Sequence, residues 1–284
     1  MIKKFSNLVV FSHTIFAMPF ALIGYTYGIT STEAEFSVKL LLQVIACMIF
    51  ARNTAMGFNR WADRDIDAKN ERTANREIPA NKVSARAALT FVIINALLFI
   101  LTSCLINPLT AILSPVALFV IMFYSYCKRF TAAAHLVLGL GLAIAPVGAY
   151  IAVTGQFAWA PCILAAVVLT WCSGFDIIYA LQDAEFDRAE GLHSIPSKFS
   201  AKWALIISTL LHLCSAALLI YFAYLLPYSV WILSGVALFI GILTAEHFLV
   251  TPTRQRNIGI AFGTLNGIAS LTLAIFIIIG LVIS

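Results

Sequence analysis

Residues 38–82 read VKLLLQVIACMIFARNTAMGFNRWADRDIDAKNERTANREIPANK. An apolar run passes without a linker into a segment dense in acids and bases. A run of roughly 20 apolar residues is the length of helix that crosses a bilayer core. The charged segment after it is too polar for hydrocarbon, so a membrane boundary falls inside this stretch. The pattern returns once. An apolar run over about 158–180 leads into DIIYALQDAEFDRAEGLHSIPSK, residues 176–198.

Working outward, apolar runs of similar length fill the rest of the 284 residues. Nine spans are expected, at about 8–29, 38–58, 85–106, 110–127, 133–154, 158–180, 203–224, 228–249 and 258–282. The chain is 61% hydrophobic and 11% charged. Soluble domains carry about 25% charged residues, so this chain has too few to cover a water-facing surface. The first span follows Lys3 and Lys4 but exceeds a signal-peptide core of about 7–15 residues, and reads as a transmembrane helix. There is no linker or low-complexity tract. The expectation is an all-α polytopic membrane protein: nine transmembrane helices in a bundle with cytoplasmic cap loops, one domain over 1–284. Pro19, Pro115 and Pro146 are expected to kink their helices. The six cysteines form no C-x-x-C pair and read as small core hydrophobes.

The net charge of +5 does not indicate nucleic acid, because its placement has another cause. With nine spans, Lys3 and Lys4 share a side with Arg60 through Arg86, Lys128 and Arg129, Arg188 through Lys202, and Arg254 with Arg256. The opposite loops are nearly bare. That asymmetry places the amino terminus in the cytoplasm and the carboxyl terminus outside, as expected for a bacterial inner membrane.

Acid is concentrated as well. Ten of the thirteen acidic residues lie in 58–82 and 176–198; the exceptions are Glu33, Glu35 and Glu246. Asn59, Asp63 and Asp67 are spaced i, i+4, i+8, and Tyr179, Asp183 and Asp187 repeat that spacing 120 residues later. Four spans intervene, so both motifs end helices at the same face, which hints at an internal repeat. Residues four apart share a helix face. Asn59, Asp63 and Asp67 make one polar stripe; Asp176, Tyr179, Asp183 and Asp187 make a second. Asp65 and Glu185 fall on other faces. Like charges so spaced repel, so a positive group belongs between them. Hard oxygen ligands favour magnesium, which shares carboxylates with substrate phosphates. Two facing stripes suit two magnesium ions on one diphosphate. A solvated acidic face is the plainer alternative. Asp176 argues against it, since it falls inside the span, where an ionisable residue marks function.

The motifs resemble a known family. N-x-x-x-D-x-x-x-D at 59–67, with R-T-A-N-R at 72–76, is similar to the first signature of the UbiA superfamily of intramembrane prenyltransferases. D-x-x-Y-A-x-x-D-x-x-x-D at 176–187 is similar to the second. The resemblance implies nine helices with a lateral opening to lipid. It implies that Asn59, Asp63, Asp67, Asp183 and Asp187 hold magnesium and diphosphate.

Arg52 lies seven residues before Asn59, on the first stripe. It reads either as a structural partner of Asp176 or Asp63, or as a grip on diphosphate or an acceptor carboxylate. Arg72, Arg76 and Lys198 lie in the acidic loops. Tyr124, Lys128 and Arg129 lie in YSYCKRFT, similar to the family's Y-x-x-x-K-R-x-T. These cations either clamp phosphate oxygens or only set topology. His193 reads equally as a diphosphate contact or a loop residue; His135, His212 and His247 read as structural. His13 begins HTIFAMPFA, where ubiquinone-pathway relatives carry an arginine and P-x-G. This departure resembles a bacterial branch labelled 4-hydroxybenzoate polyprenyltransferase-like, part of it tied to menaquinone through futalosine intermediates. His13 is expected to face the acceptor. Arg60 is a second departure.

The expected chemistry is prenyl transfer. Mg2+ and basic residues neutralise the leaving diphosphate. Tyr124 and Tyr179 offer ring faces to the prenyl cation. Asp176 or Asp183 assists loss of the ring proton. The expected partners are prenyl diphosphate, an aromatic small molecule and membrane lipid, with no nucleic acid and no obligate protein partner. A cation transporter, a structural subunit, or transfer to a naphthoate, haem or glycerol phosphate are the competing readings.

Overall fold

The computed structural model describes residues 16–32, 34–253 and 255–283. Lys3, Lys4, His13 and the beginning of the first expected span lie outside the described residues, as does Arg254. The chain is helical throughout its spans: α1 (Met18–Thr32), α2 (Val38–Ala62), α3 (Arg64–Asp67), α4 (Ala85–Cys104), α5 (Pro108–Cys127), α6 (Ala134–Thr154), α7 (Trp159–Ala180), α8 (Ala184–Ala189), α9 (Ile195–Lys198), α10 (Ala201–Tyr224), α11 (Val230–Leu249) and α12 (Asn266–Ile283). Among the described residues, eight helices are long and apolar enough to cross a membrane. They coincide with the second to ninth expected spans, and the described part of the first is α1, 15 residues long. The chain is a multi-pass integral membrane protein with about eight to nine spans.

Local chemistry sets where these helices start and stop. Asn107 caps α5 by accepting from the Thr110 amide, with Pro108 in the first turn, where its missing N–H costs nothing. Its Nδ2 donates to the Ile151 carbonyl at 2.8 Å, which ties the start of α5 to the end of α6. Gly155 ends α6 at φ +70, a left-handed position that suits glycine. Two of the expected kinks do not interrupt their helices: α5 and α6 run through Pro115 and Pro146. Pro19 is not interior in the described helix. It is the second residue of α1, where no hydrogen bond is lost.

The packing forms two groups that meet at α6. In one, α7 lies against α6 and α10, α11 against α12, and α12 against α1, which returns to α6. Trp171 of α7 is fully buried at its centre among Phe20, Phe239 and Phe175. In the other, α2 packs on α4 and α5, and α5 on α6. The outer faces of α4 and α5 expose Ile94, Leu97, Leu101, Ile112 and Phe119. Those residues suit lipid, and every spanning helix satisfies its own backbone. All six cysteines are free.

Between membrane helices, contact depends on small residues that let backbones approach. Gly24 of α1 is such a point. A Cβ placed there would collide with the Pro146 carbonyl of α6. Gly24→Ala is therefore expected to cost about 1–3 kcal/mol, typical of overpacking, read as a lower melting temperature in detergent. Gly148 of α6 faces open space, so Gly148→Ala serves as the control and should melt like the parent. Equal melting of the two variants would refute this α1–α6 contact.

Candidate active site

Both acidic motifs break at the same point. Hydrogen bonds run from Asp63 N–H to the Asn59 carbonyl and from Asp67 N–H to the Asp63 carbonyl, so the i, i+4, i+8 spacing survives. Yet α2 ends at Ala62, and Asp63 sits at φ −95, ψ 6 before the short α3. In the second motif α7 ends at Ala180, the chain tightens into a 3-10 turn over Leu181–Asp183, and Asp183 sits at φ −104, ψ 2 before α8. Matching aspartates thus occupy the same sparsely populated bridge conformation, one common among active-site residues. The 120-residue repeat is local structure as well as spacing.

Each carboxylate has been given a partner of a particular kind. Arg72 grips Asp183 through Nε at 2.9 Å and Nη2 at 2.5 Å, a two-pronged pairing. Its Nη1 donates to the Tyr179 hydroxyl at 2.9 Å. Asn70 Nδ2 donates to Asp183 at 3.0 Å. Arg76 Nη1 donates to Asp67 at 2.6 Å, Asn59 Nδ2 to Asp63 at 2.9 Å, and Ser194 to Asp187 at 2.8 Å. Arg129 Nη2 approaches Asp63 Oδ1 at 3.0 Å as an ion pair without hydrogen-bond geometry. Among the described residues no arginine pairs with Asp176; His135 Nδ1 lies 2.6 Å from its Oδ2. The other imidazole nitrogen of His135 accepts from the Ile195 amide at 3.3 Å. With Nε2 as acceptor, Nδ1 carries the proton toward Asp176.

The acidic end has spare capacity for a cation. Asp63, Asp67 and Asp187 are buried, and each keeps one carboxylate oxygen without a hydrogen bond. Burial raises the Asp63 carboxyl above its ordinary pKa, against the pull of Lys128 and Arg129. A buried acid in that condition calls for more positive charge. Among the described residues no three acidic, histidine or cysteine side chains converge as a ready metal cage. These donors fit magnesium, which needs only one or two carboxylates beside water and phosphate.

These groups open on one cavity of about 680 Å³. Asn59, Asp63, Asp67, Asp183 and Asp187 line its acidic end, with Asp176, Arg52, Arg72, Arg76, Tyr124, Lys128 and Tyr179. Among the described residues expected to bind substrate, Arg129 and Lys198 lie outside the lining. Arg129 braces Asp63 from behind, donating to the Ser125 and Ala62 carbonyls. Lys198 is exposed at the end of α9. His193 is exposed, and its amide bonds the Lys128 carbonyl. Asp65 and Glu185 point away, as expected. Arg52 pairs with neither Asp176 nor Asp63, and its buried Nε has no hydrogen bond. Lining residues not expected in the site from the sequence include Arg60, Asn70, His135 and Phe262. Asn70 reaches Asp183 across 113 positions, a contact no local spacing announces. Away from the acids the lining is mostly apolar, with Val44, Met48, Ile121, Ala145 and Ala149 beside the hydroxyls of Ser103, Thr110 and Ser114.

The chain and its fold are similar to those of known proteins. The chain is 30% identical to 4-hydroxybenzoate octaprenyltransferase of Tolumonas auensis over 221 residues, 78% of this chain and 77% of that protein. Its fold matches the apo structure of a UbiA homolog from Aeropyrum pernix K1 with a TM-score of 0.81 at 28% identity, covering 95% and 97% of the two chains. It also matches a UbiA homolog from Archaeoglobus fulgidus bound to GPP and Mg2+, with a TM-score of 0.73 at 20% identity, covering 96% and 99%. Residues 17–281 match the model of the UbiA prenyltransferase family, and the chain belongs to that family of prenyl-transferring enzymes.

Proposed function

We propose that this enzyme moves a polyprenyl group from its diphosphate to a small aromatic acceptor of the 4-hydroxybenzoate kind, in respiratory quinone biosynthesis. The observation that carries the reading is the pair of matched acidic motifs, set among arginines, at one end of a single apolar cavity. Asn59, Asp63, Asp67, Asp183 and Asp187 would hold Mg2+. Bound there, Mg2+ would neutralise the leaving diphosphate. Arg72, Arg76 and Lys128 add donors for its oxygens. A permeation path would need ion-binding groups along the bundle, but the charged residues of the lining gather at its acidic end, which weighs against a cation transporter.

The apolar body suits the tail. Lining residues on α6 run from Ala134 to Ala152, roughly 27 Å at the α-helical rise. A mostly apolar lining of that length accommodates a long prenyl chain. As the allylic C–O bond breaks, the ring faces of Tyr124 and Tyr179 offer negative potential to the prenyl cation. The aromatic ring attacks that carbon, and loss of the ring proton restores aromaticity. Asp176 or Asp183 takes that proton. Arg52 and Arg60, on α2, are the cations placed for an acceptor carboxylate. The lysines and arginines at the acidic end set orientation: amino terminus and acidic loops in the cytoplasm, carboxyl terminus outside.

Asp63→Asn and Asp183→Asn should each lower transfer by about 100-fold or more, the scale of losing a preorganised electrostatic contact. The assay uses labelled prenyl diphosphate, limiting Mg2+ and 4-hydroxybenzoate, with naphthoate, haem and glycerol phosphate as competing acceptors. Parental rates in either folded variant would remove the two-motif site; turnover of a competitor alone would remove the acceptor.

Arg52→Leu should raise the KM for a carboxylate-bearing acceptor by about tenfold or more, since a charged hydrogen bond is worth about 1.5–3 kcal/mol. The KM for prenyl diphosphate should stay close to the parent's. A rise confined to the diphosphate would reassign Arg52 to the leaving group.

Orientation is checked by labelling single cysteines placed in 68–82 and 188–200 of a cysteine-free enzyme. Reagent added from the cytoplasm should reach both. Labelling only from outside would invert the proposed topology.

A further inference from the structure

Glu246 is an acid outside both motifs, and prenyl transfer gives it no task. It lies in the last turn of α11 and is 1% exposed. An ionisable group inside a membrane bundle needs partners. Asn266 Nδ2 donates to its Oε1 at 3.0 Å, and Trp171 Nε1 donates to Asn266 Oδ1 at 2.7 Å. His212 Nδ1 lies 4.0 Å from its other oxygen. His212 is bonded in turn to His247 at 2.9 Å and to the Trp171 carbonyl at 3.2 Å. This polar clasp joins α7, α10, α11 and α12. Its members are absent from the cavity lining.

What the clasp holds is a backbone irregularity. Residues Ile260–Leu265 form a π-helical turn just before α12. Such turns are rare and cluster at functional sites. Asn266 Nδ2 also donates to the Ala261 carbonyl at 3.0 Å, so one side chain closes the turn and anchors it to Glu246 and Trp171. The turn sends one residue, Phe262, into the cavity lining. The Phe262 ring packs 4.2 Å from that of Tyr179, and it also meets Phe175 and Phe16 at 5.4 Å. The Arg72 guanidinium sits 5.4 Å from the same Tyr179 ring and bonds its hydroxyl. Arg72 is the group that grips Asp183.

We infer that Phe262 is a positioning residue of the transfer site, presented by the Trp171–Asn266–Glu246 clasp through the π-turn. It fixes Tyr179, and Tyr179 fixes Arg72 toward the donor diphosphate. The π-turn is what aims it. Were the segment to revert to α pitch by a one-residue shift, side chains before the shift would turn by about 100° around the axis. Phe262 would then leave the cavity. The inference rests on the proposed placement of the donor diphosphate beside Arg72.

The test uses the full chain in detergent, with geranyl diphosphate and Mg2+ as the binding probe and 4-hydroxybenzoate as acceptor. Phe262→Leu should weaken geranyl diphosphate binding by about tenfold, the scale of losing an aromatic pair, with the acceptor KM within about twofold. Glu246→Leu removes the acceptor for Asn266 and should weaken the donor in the same way. Glu246→Gln keeps an oxygen for Asn266 and should bind like the parent. Melting temperatures of all three are measured beside the affinities. Parental donor affinity in Phe262→Leu would overturn the inference. So would equal losses for donor and acceptor, or a Glu246→Leu enzyme that melts lower but binds normally. If the parent enzyme itself does not bind geranyl diphosphate, the proposed donor site is wrong and this inference falls with it. A parent that binds while Phe262→Leu binds equally would leave the donor site standing and remove only the role of Phe262.

Discussion

Everything about this molecule's polar end depends on one electrostatic constraint. Asp63, Asp67, Asp183 and Asp187 are all buried where an apolar bundle ends. Charge in such a place is costly unless it is paired and hydrogen-bonded. The chain answers with short, rigid pairings. Arg72 and Arg76 come from the loop after α3, not from the membrane helices. That choice has a consequence. The loop over 68–84 is held down by the carboxylates it neutralises, so the cap and the acidic motifs are a single unit. Removing an aspartate frees the arginine that holds the loop down, and removing the arginine leaves a buried acid unpaired.

The pairing is also incomplete in a systematic way. Asp63, Asp67 and Asp187 each retain an unbonded oxygen, while Arg52 and Arg60 each retain an unbonded Nε. The unbonded acceptors at the mouth and the unbonded donors on α2 are opposite in sign. The first calls for a cation; the second calls for an anion. The proposed magnesium diphosphate and acceptor carboxylate would supply both signs.

Much of this was legible in the sequence. The spans were readable because lipid requires some twenty apolar residues in a row, and spans two to nine fall where α2, α4–α7 and α10–α12 form. The acidic stripes were readable because helical spacing is local. What the sequence could not show is contact across distance. Asn70 meets Asp183, and His135 meets Asp176, through folding alone. His135 looked structural because a lone histidine beside an apolar run usually is. Lys198 looked useful because it closes an acidic loop, yet helix α9 turns it outward. The break at Asp63 and Asp183 was hidden too, since an i, i+4 series does not reveal where the backbone leaves α pitch.

The same limit explains Glu246 and Asn266. Neither belongs to a motif, and their bond spans 20 residues and two helices. A polar pair of this kind is expensive in an apolar setting, and apolar residues of similar volume would often serve stability as well or better. Its presence is therefore better explained by geometry than by stability. An apolar contact can hold two helices together without fixing their rotation. A directional hydrogen bond between side chains of two helices restricts it. Asn266 is held in this way by Trp171 and Glu246, while its bond to the Ala261 carbonyl shapes the turn within its own segment. The wider turn is thereby kept from relaxing to the more favourable α pitch. A rotation maintained against the helix's own preference has a purpose only if some side chain must face one way. In this turn the side chain that reaches the cavity is Phe262.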